Sequence, residues 1–226
     1  MPPNPPYRKP YSTIHRLSSI VLFLLSSFLF VSCVSPTQTA PTQTITAYAA
    51  SSAQPWMDEL FACANERNII VNVTAGEPEI ALRIGEPENL PAHAYQIGEE
   101  EILIAANRES AVQHLSLTEV QALFAGQGEP SVQVWVYPSG LDIFEVFEQV
   151  VMQGRSAASF ARVAVGVEAM SEAVNSESDA VGILPKRWLG ENAREVYSLG
   201  TFPVLAIASA EPQGAARDLL ACLQES

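Results

Sequence analysis

Two short stretches of small residues carry the groups best suited to holding an anion. Ala49-Ala50-Ser51-Ser52 precedes a predicted helix over residues 55–67, and Ser139-Gly140 precedes another that opens at Asp142. The first N–H groups of a helix lack intrahelical partners and carry a partial positive charge, so a hydroxyl-bearing loop there holds an oxyanion without a formal cation. Ser52 and Ser139 serve equally well as a helix cap and a turn former, and the sequence leaves both readings open. Trp135, Tyr137 and Tyr48 sit at predicted strand ends, where an aromatic packs a core or lines a cleft for a less charged solute.

Catalytic chemistry is sparse. His93 and His114, the histidines beyond the N-terminal segment, stand outside any nucleophile-elbow or His-Glu-x-x-His context and read as loop residues. No Cys/His spacing suits a metal, and no glycine-rich loop with lysine suits a nucleotide, so the chain reads as a non-enzyme without a cofactor. Asp142, Glu145 and Glu148 read as the solvated face of one helix, and Glu99-Glu100-Glu101 as a charged loop before a buried strand.

The N-terminus addresses the compartment. Arg8, Lys9 and Arg16 precede an apolar run over residues 20–31, which ends at Val31-Ser32-Cys33. That is the layout of a lipoprotein signal, with Cys33 the residue to be lipidated. The run is short for a membrane span and is interrupted by Ser26 and Ser27. Residues 1–33 are thus the signal, and residues 34–44, rich in Ser, Pro, Thr and Gln, a flexible tether. The expected product is extracytoplasmic and held to the cell membrane by its lipid. Beyond the leader, nine basic face 25 acidic residues, a formal charge of −16, which argues against nucleic acid as a partner. In that compartment Cys63 and Cys222 are free to pair, or to stay buried as separate thiols.

The elements that position these groups alternate. Strands are expected over residues 44–48, 69–73, 80–84, 102–106, 132–136, 180–184 and 202–208, and helices over 55–67, 142–153, 167–175 and 214–223. The first helix puts Trp56, Leu60, Phe61 and Ala64 on one face. Ser116-Leu117-Thr118-Glu119 opens a further helix with a capping-box pattern, and Gly126 suits its C-terminal end. The order is α/β, with parallel strands covered by helices.

Several segments in this order resemble the phosphate-binding family of type 2 periplasmic substrate-binding proteins, the receptors of ABC importers. Leu115-Ser116-Leu117-Thr118-Glu119-Val120 through Phe124-Ala125-Gly126 resembles the family's L-x-L-T-x-E-x-x-x-I-F-x-G region. Ser139-Gly140-Leu141 resembles its Ser-Gly-Thr loop, Glu79-Ile80-Ala81 its Asp-Ile-Ala segment, Asp179 to Leu184 its Ala-Ile-Gly-Tyr strand, and Glu211 to Ala216 the stretch before its last helix. The resemblance implies a two-lobed α/β fold, each lobe a small mostly parallel sheet flanked by helices. Residues 45–105 and 197–226 would form lobe I and residues 106–196 lobe II, which puts Cys63 and Cys222 in one lobe. It further implies a monomer that clamps a small oxyanion or other small solute between the lobes and delivers it to an ABC permease.

By that template Ser51, Ser52, Ser139 and Gly140 hold the anion. Glu79 matches a family aspartate that accepts a hydrogen bond from a protonated phosphate oxygen. The chain also departs from the family: Trp135, Val136 and Tyr137 stand where an arginine is usual, Leu141 replaces the threonine, and Ala49 and Ala50 replace glycine and serine. Losing the arginine and a hydroxyl weakens an anion by roughly several hundredfold. The alternative is therefore a sensor or interaction lipoprotein that keeps the fold with a degenerate site. A working receptor requires a polar, anion-sized pocket; a degenerate one would be closed by Leu141 and Tyr137.

Overall fold

The computed structural model describes residues 42–225; the expected signal, Cys33 and residues 34–41 of the expected tether lie outside the described residues. The elements in chain order are β1 (Gln43–Ala49), α1 (Trp56–Glu66), β2 (Ile69–Val73), β3 (Ile80–Ile84), β4 (Ala94–Asn107), α2 (Leu117–Ala122), β5 (Gln133–Val136), α3 (Asp142–Phe147), β6 (Arg162–Val163), α4 (Val167–Ser176), β7 (Ala180–Pro185), β8 (Ala193–Ala208) and α5 (Gly214–Glu225). Helices α2 and α3 each continue into a wider π-type turn, at Leu123–Gln127 and Glu148–Met152. β1 starts inside the stretch expected to be tether. Gln43 pairs with Ile69, and its side-chain oxygen accepts the Ala215 N–H at 2.9 Å, which caps the start of α5.

The strands follow the order β2-β1-β3-β8-β4-β7-β5-β6. Pairings toward the two outer edges are parallel, as the βαβ pattern requires, but β3–β8, β8–β4 and β4–β7 are antiparallel. The reason lies in β4 and β8, two long strands that each serve both halves of the molecule. At one end β8 pairs with β3, and at the other end of the pair β4 takes up β7 at Ile102–Ala106. In between, Glu99, Glu100 and Glu101 face Pro203, Phe202 and Thr201 of β8, and the register shifts on either side. This change of partner lies a few residues before the division at Ala105 and Ala106 that the resemblance suggested.

Glu99-Glu100-Glu101 is therefore strand and not the expected loop. Glu100 is only 4 % exposed, and the burial of its carboxylate is compensated by Arg187, whose Nε stands 3.0 Å away. On α1 the buried stripe is Trp56, Leu60, Cys63 and Ala64, while Phe61 faces solvent; at i, i+4, i+7 the small Cys63 takes the inward place expected of Phe61. Cys63 is bonded to Cys222 of α5, with an S–S distance of 2.03 Å, closing a sequence separation of 159 residues. The capping box forms at α2: Ser116 Oγ accepts the Glu119 N–H and Glu119 accepts the Ser116 N–H at 2.7 Å.

Candidate functional site

The parallel strands of the first half end together, and the site begins there. After Ala49 the chain leaves the sheet as a 3₁₀ turn at Ser51–Ala53, with Ala50 C=O turned to the Ala53 N–H at 2.9 Å. The next N–H on that edge of β3, from Ile84, is thereby left without a strand partner. It donates instead to Asp142 Oδ2 at 2.8 Å. Ser52 does not cap α1, which begins after Pro55 with no side-chain cap; its hydroxyl, in a residue 1 % exposed, donates to the two Asp142 oxygens at 2.7 and 2.6 Å. Asp142 Oδ1 also accepts the Ile143 N–H at 2.8 Å.

Asp142 is 5 % exposed, which corrects the expectation that it belongs to a solvated face. Its carboxylate sits between the halves, where three neutral donors from the loop after β1, the end of β3 and the start of α3 converge. A carboxylate at the first position of a helix is also favoured by the exposed N–H groups there. Nothing in the residue spacing revealed this, because Asp142, Glu145 and Glu148 do share a helical repeat. The available signal was local: Asp142 stands between Leu141 and Ile143-Phe144, an apolar setting for an exposed acid.

Further contacts bridge the halves around this centre. Arg83 of β3 pairs with Glu145 of α3 at 2.7 Å. Gly85, with φ +75°, lets the chain pass against α3 so closely that a Cβ would lie 2.3 Å from Val146. Arg187, after β7, reaches Glu59 of α1 at 2.9 Å and lies 4.3 Å over the Trp56 ring. Ser51 faces Gly166, just before α4, and among the described residues its buried hydroxyl oxygen has no hydrogen-bond partner.

The other expected ligand residues are not gathered here. Ser139 and Gly140 are exposed on a turn in which Leu141 N–H meets Pro138 C=O at 3.4 Å, and Gly140 has φ +89°. Glu79 lies at the start of β3, roughly 10 Å along the strand from Leu82, which lies opposite the end of β1, and it accepts the Thr46 N–H at 2.8 Å. Tyr137 is buried and donates its hydroxyl to Ile183 C=O at 2.7 Å, so it packs the core. Burial, aided by the Asp142 charge, pushes its pKa well above the ordinary tyrosine value. Trp135 is half-buried with Arg162 5.4 Å over its ring, Tyr48 is partly exposed, and Leu141 packs against the core.

The outer rim adds charge of the wrong sign for an anion. A concavity of about 910 Å³ lies between Glu86-Pro87-Glu88-Asn89 and α3 with its continuation, and carries Glu86, Glu88, Glu145 and Glu148. At the β4–β8 crossing, Glu101 is held below the usual carboxylate range by hydrogen bonds from Lys186, 2.7 Å, and Ser198, 2.8 Å. Among the described residues there is no cluster of three or more His, Cys, Asp or Glu that could hold a metal, and no helix is long and apolar enough to cross a membrane.

Neither a protein-family model nor a curated protein sequence matches this chain. Solved structures do match. A candidate phosphate ABC transporter substrate-binding protein with bound phosphate from Clostridium perfringens superposes with a TM-score of 0.70 at 12% identity, over 80% of this chain and 93% of that one. An ABC-type phosphate transport receptor from Vibrio cholerae gives 0.62 at 16% identity, with 80% and 93% covered. The regulatory domain of Synechocystis CcmR in complex with 2-PG gives 0.61 at 10% identity, with 81% and 97% covered. The chain has the type 2 periplasmic-binding-protein fold, which receptors and regulatory domains share.

Proposed function

We propose that this chain is a lipid-anchored extracytoplasmic protein in which the solute-binding fold is held shut by its own side chains. It works as a sensor or interaction module and not as the oxyanion receptor of an importer. The observation that carries this reading is the buried Asp142 carboxylate, which takes up the Ser52 hydroxyl and the Ile84 and Ile143 N–H groups where the two halves meet. The Arg83–Glu145 and Arg187–Glu59 pairs support it, since both bridge the halves without any ligand. Lobe closure is ordinarily stabilised by ligand contacts made only in the closed state. Here the side chains supply those contacts.

The likeness to phosphate receptors favours a second reading, an oxyanion receptor that serves an ABC permease. That reading needs a state in which Asp142 leaves Ser52 and Ile84. Thermal unfolding of the purified protein against phosphate, sulfate and molybdate separates the two. A specific ligand at a hundred times its Kd adds about 2.7 kcal/mol, or roughly 5–10 °C for a chain of this size. The closed-cleft reading expects no anion-specific shift; a saturable rise with one oxyanion sinks it and restores the receptor. Anchoring is tested separately: Cys33→Ala should release the protein from the membrane fraction, and unchanged membrane retention would count against lipidation at Cys33.

A further inference from the structure

We propose that the Asp142 carboxylate is a built-in stand-in for a ligand, and that Ser52 Oγ with the N–H groups of Ile84 and Ile143 forms a latent site for a small monocarboxylate. The inference rests on the closed-cleft reading and names the ligand class of the same cleft. Three observations carry it. The donors come from three separate elements and meet one planar two-oxygen group at 2.6–2.8 Å. Asp142 and Ser52 are both almost fully buried, at 5 % and 1 % exposed. All three donors are neutral, and the guanidinium of Arg83, also on β3, is engaged by Glu145.

The chemistry selects the ligand. Neutral donors stabilise one negative charge spread over two oxygens, whereas a dianion brings a second charge with no cation to meet it. A rim carrying Glu86, Glu88, Glu145 and Glu148 works in the same direction. Truncation of Asp142 to alanine removes a carboxylate and leaves a space the size of formate. The three donors then face that space with nothing to bond to.

The experiment compares wild type, Asp142→Ala and Asp142→Ala/Ser52→Ala as detergent-solubilised full chains, in sodium formate and in sodium chloride of equal ionic strength. In chloride, Asp142→Ala should melt about 5–15 °C below wild type, because buried donors are left unpaired. Formate should restore at least roughly 3 °C of that loss in a saturable way, leave wild type unchanged, and restore less when Ser52 is also removed. A folded Asp142→Ala chain that melts identically in formate and chloride overturns the proposal. Should that variant not fold, Asp142→Asn decides: its amide keeps one acceptor oxygen but turns an NH2 group against either the Ile84 or the Ile143 N–H, so its melting temperature must fall, and a wild-type value overturns the proposal. A phosphate shift in wild type bears on the closed-cleft reading alone, since the formate rescue is read on a different protein.

Discussion

The two serine loops look alike in sequence and end in opposite situations. Ser51-Ser52 turns inward against the second half of the molecule, with the Ser52 hydroxyl on a buried carboxylate. Ser139-Gly140 projects into solvent on a turn, while Asp142, two residues beyond Gly140, does the contacting. A hydroxyl before a helix is thus only an opportunity, and what the opposite half presents decides whether it caps, binds or latches. Here one loop supplies the donor and the helix after the other supplies the acceptor.

The largest test of that asymmetry is covalent. Among the described residues only the first loop is backed by a disulfide, Cys63–Cys222, which ties α1 to α5 across 159 residues. In the chain-entropy picture its loss costs about 4–5 kcal/mol, so a Cys63→Ala/Cys222→Ala chain should melt more than roughly 8 °C lower. Hydrogen exchange should rise more in α1 and α5 than in α3 and α4; uniform softening would argue that the halves do not differ in this way. Next comes Ser52→Ala, which removes a hydrogen bond to a charged group worth about 2 kcal/mol, a drop of roughly 4–8 °C. A drop below 1 °C would mean that the hydroxyl is not a latch.

Tyr137, just before the second loop, offers a pH test. Its pKa is raised by burial and by the Asp142 charge. Above about pH 10 the unfolded chain releases that proton and the folded one keeps it, so stability falls with rising pH by up to about 1.4 kcal/mol per unit. Tyr137→Phe should flatten that part of the alkaline unfolding curve, and an unchanged slope would show that Tyr137 does not contribute. A smaller effect belongs to Gly140, whose φ of +89° suits glycine, so Gly140→Ala should cost about 1 kcal/mol through backbone strain. Smallest of all, Ser139→Ala should stay within about 0.5 kcal/mol by chemical denaturation, as for an exposed turn hydroxyl. A loss comparable to that of Ser52→Ala would erase the contrast between the loops.

Much of the fold was legible in the sequence because it rests on local pattern. Residues 69–73 and 80–84 alternate or run apolar as strands do, Ser116 and Glu119 spell the capping box, and Gly126 adopts its positive φ at +82° where α2 runs out. Of the groups that meet at Asp142, the sequence singled out Ser52, as an anion ligand or a helix cap, and read Asp142 as part of a solvated face; the Ile84 N–H was not marked. A backbone N–H has no sequence signature, and a buried carboxylate in a helical repeat of acids looks like an exposed one.

The sequence by itself determined the alternation of strands and helices, the capping box that opens α2 and the acidity of the chain. All of these depend on residue type and on neighbours within a few positions. Only the tertiary structure decided that β4 and β8 run through both halves, that Glu100 is buried against Arg187, and that Asp142 meets Ser52 across 90 residues of chain. Each of these depends on which donors and charges two distant segments bring to the same place, and that is fixed when the halves pack, not when the residues are written in order.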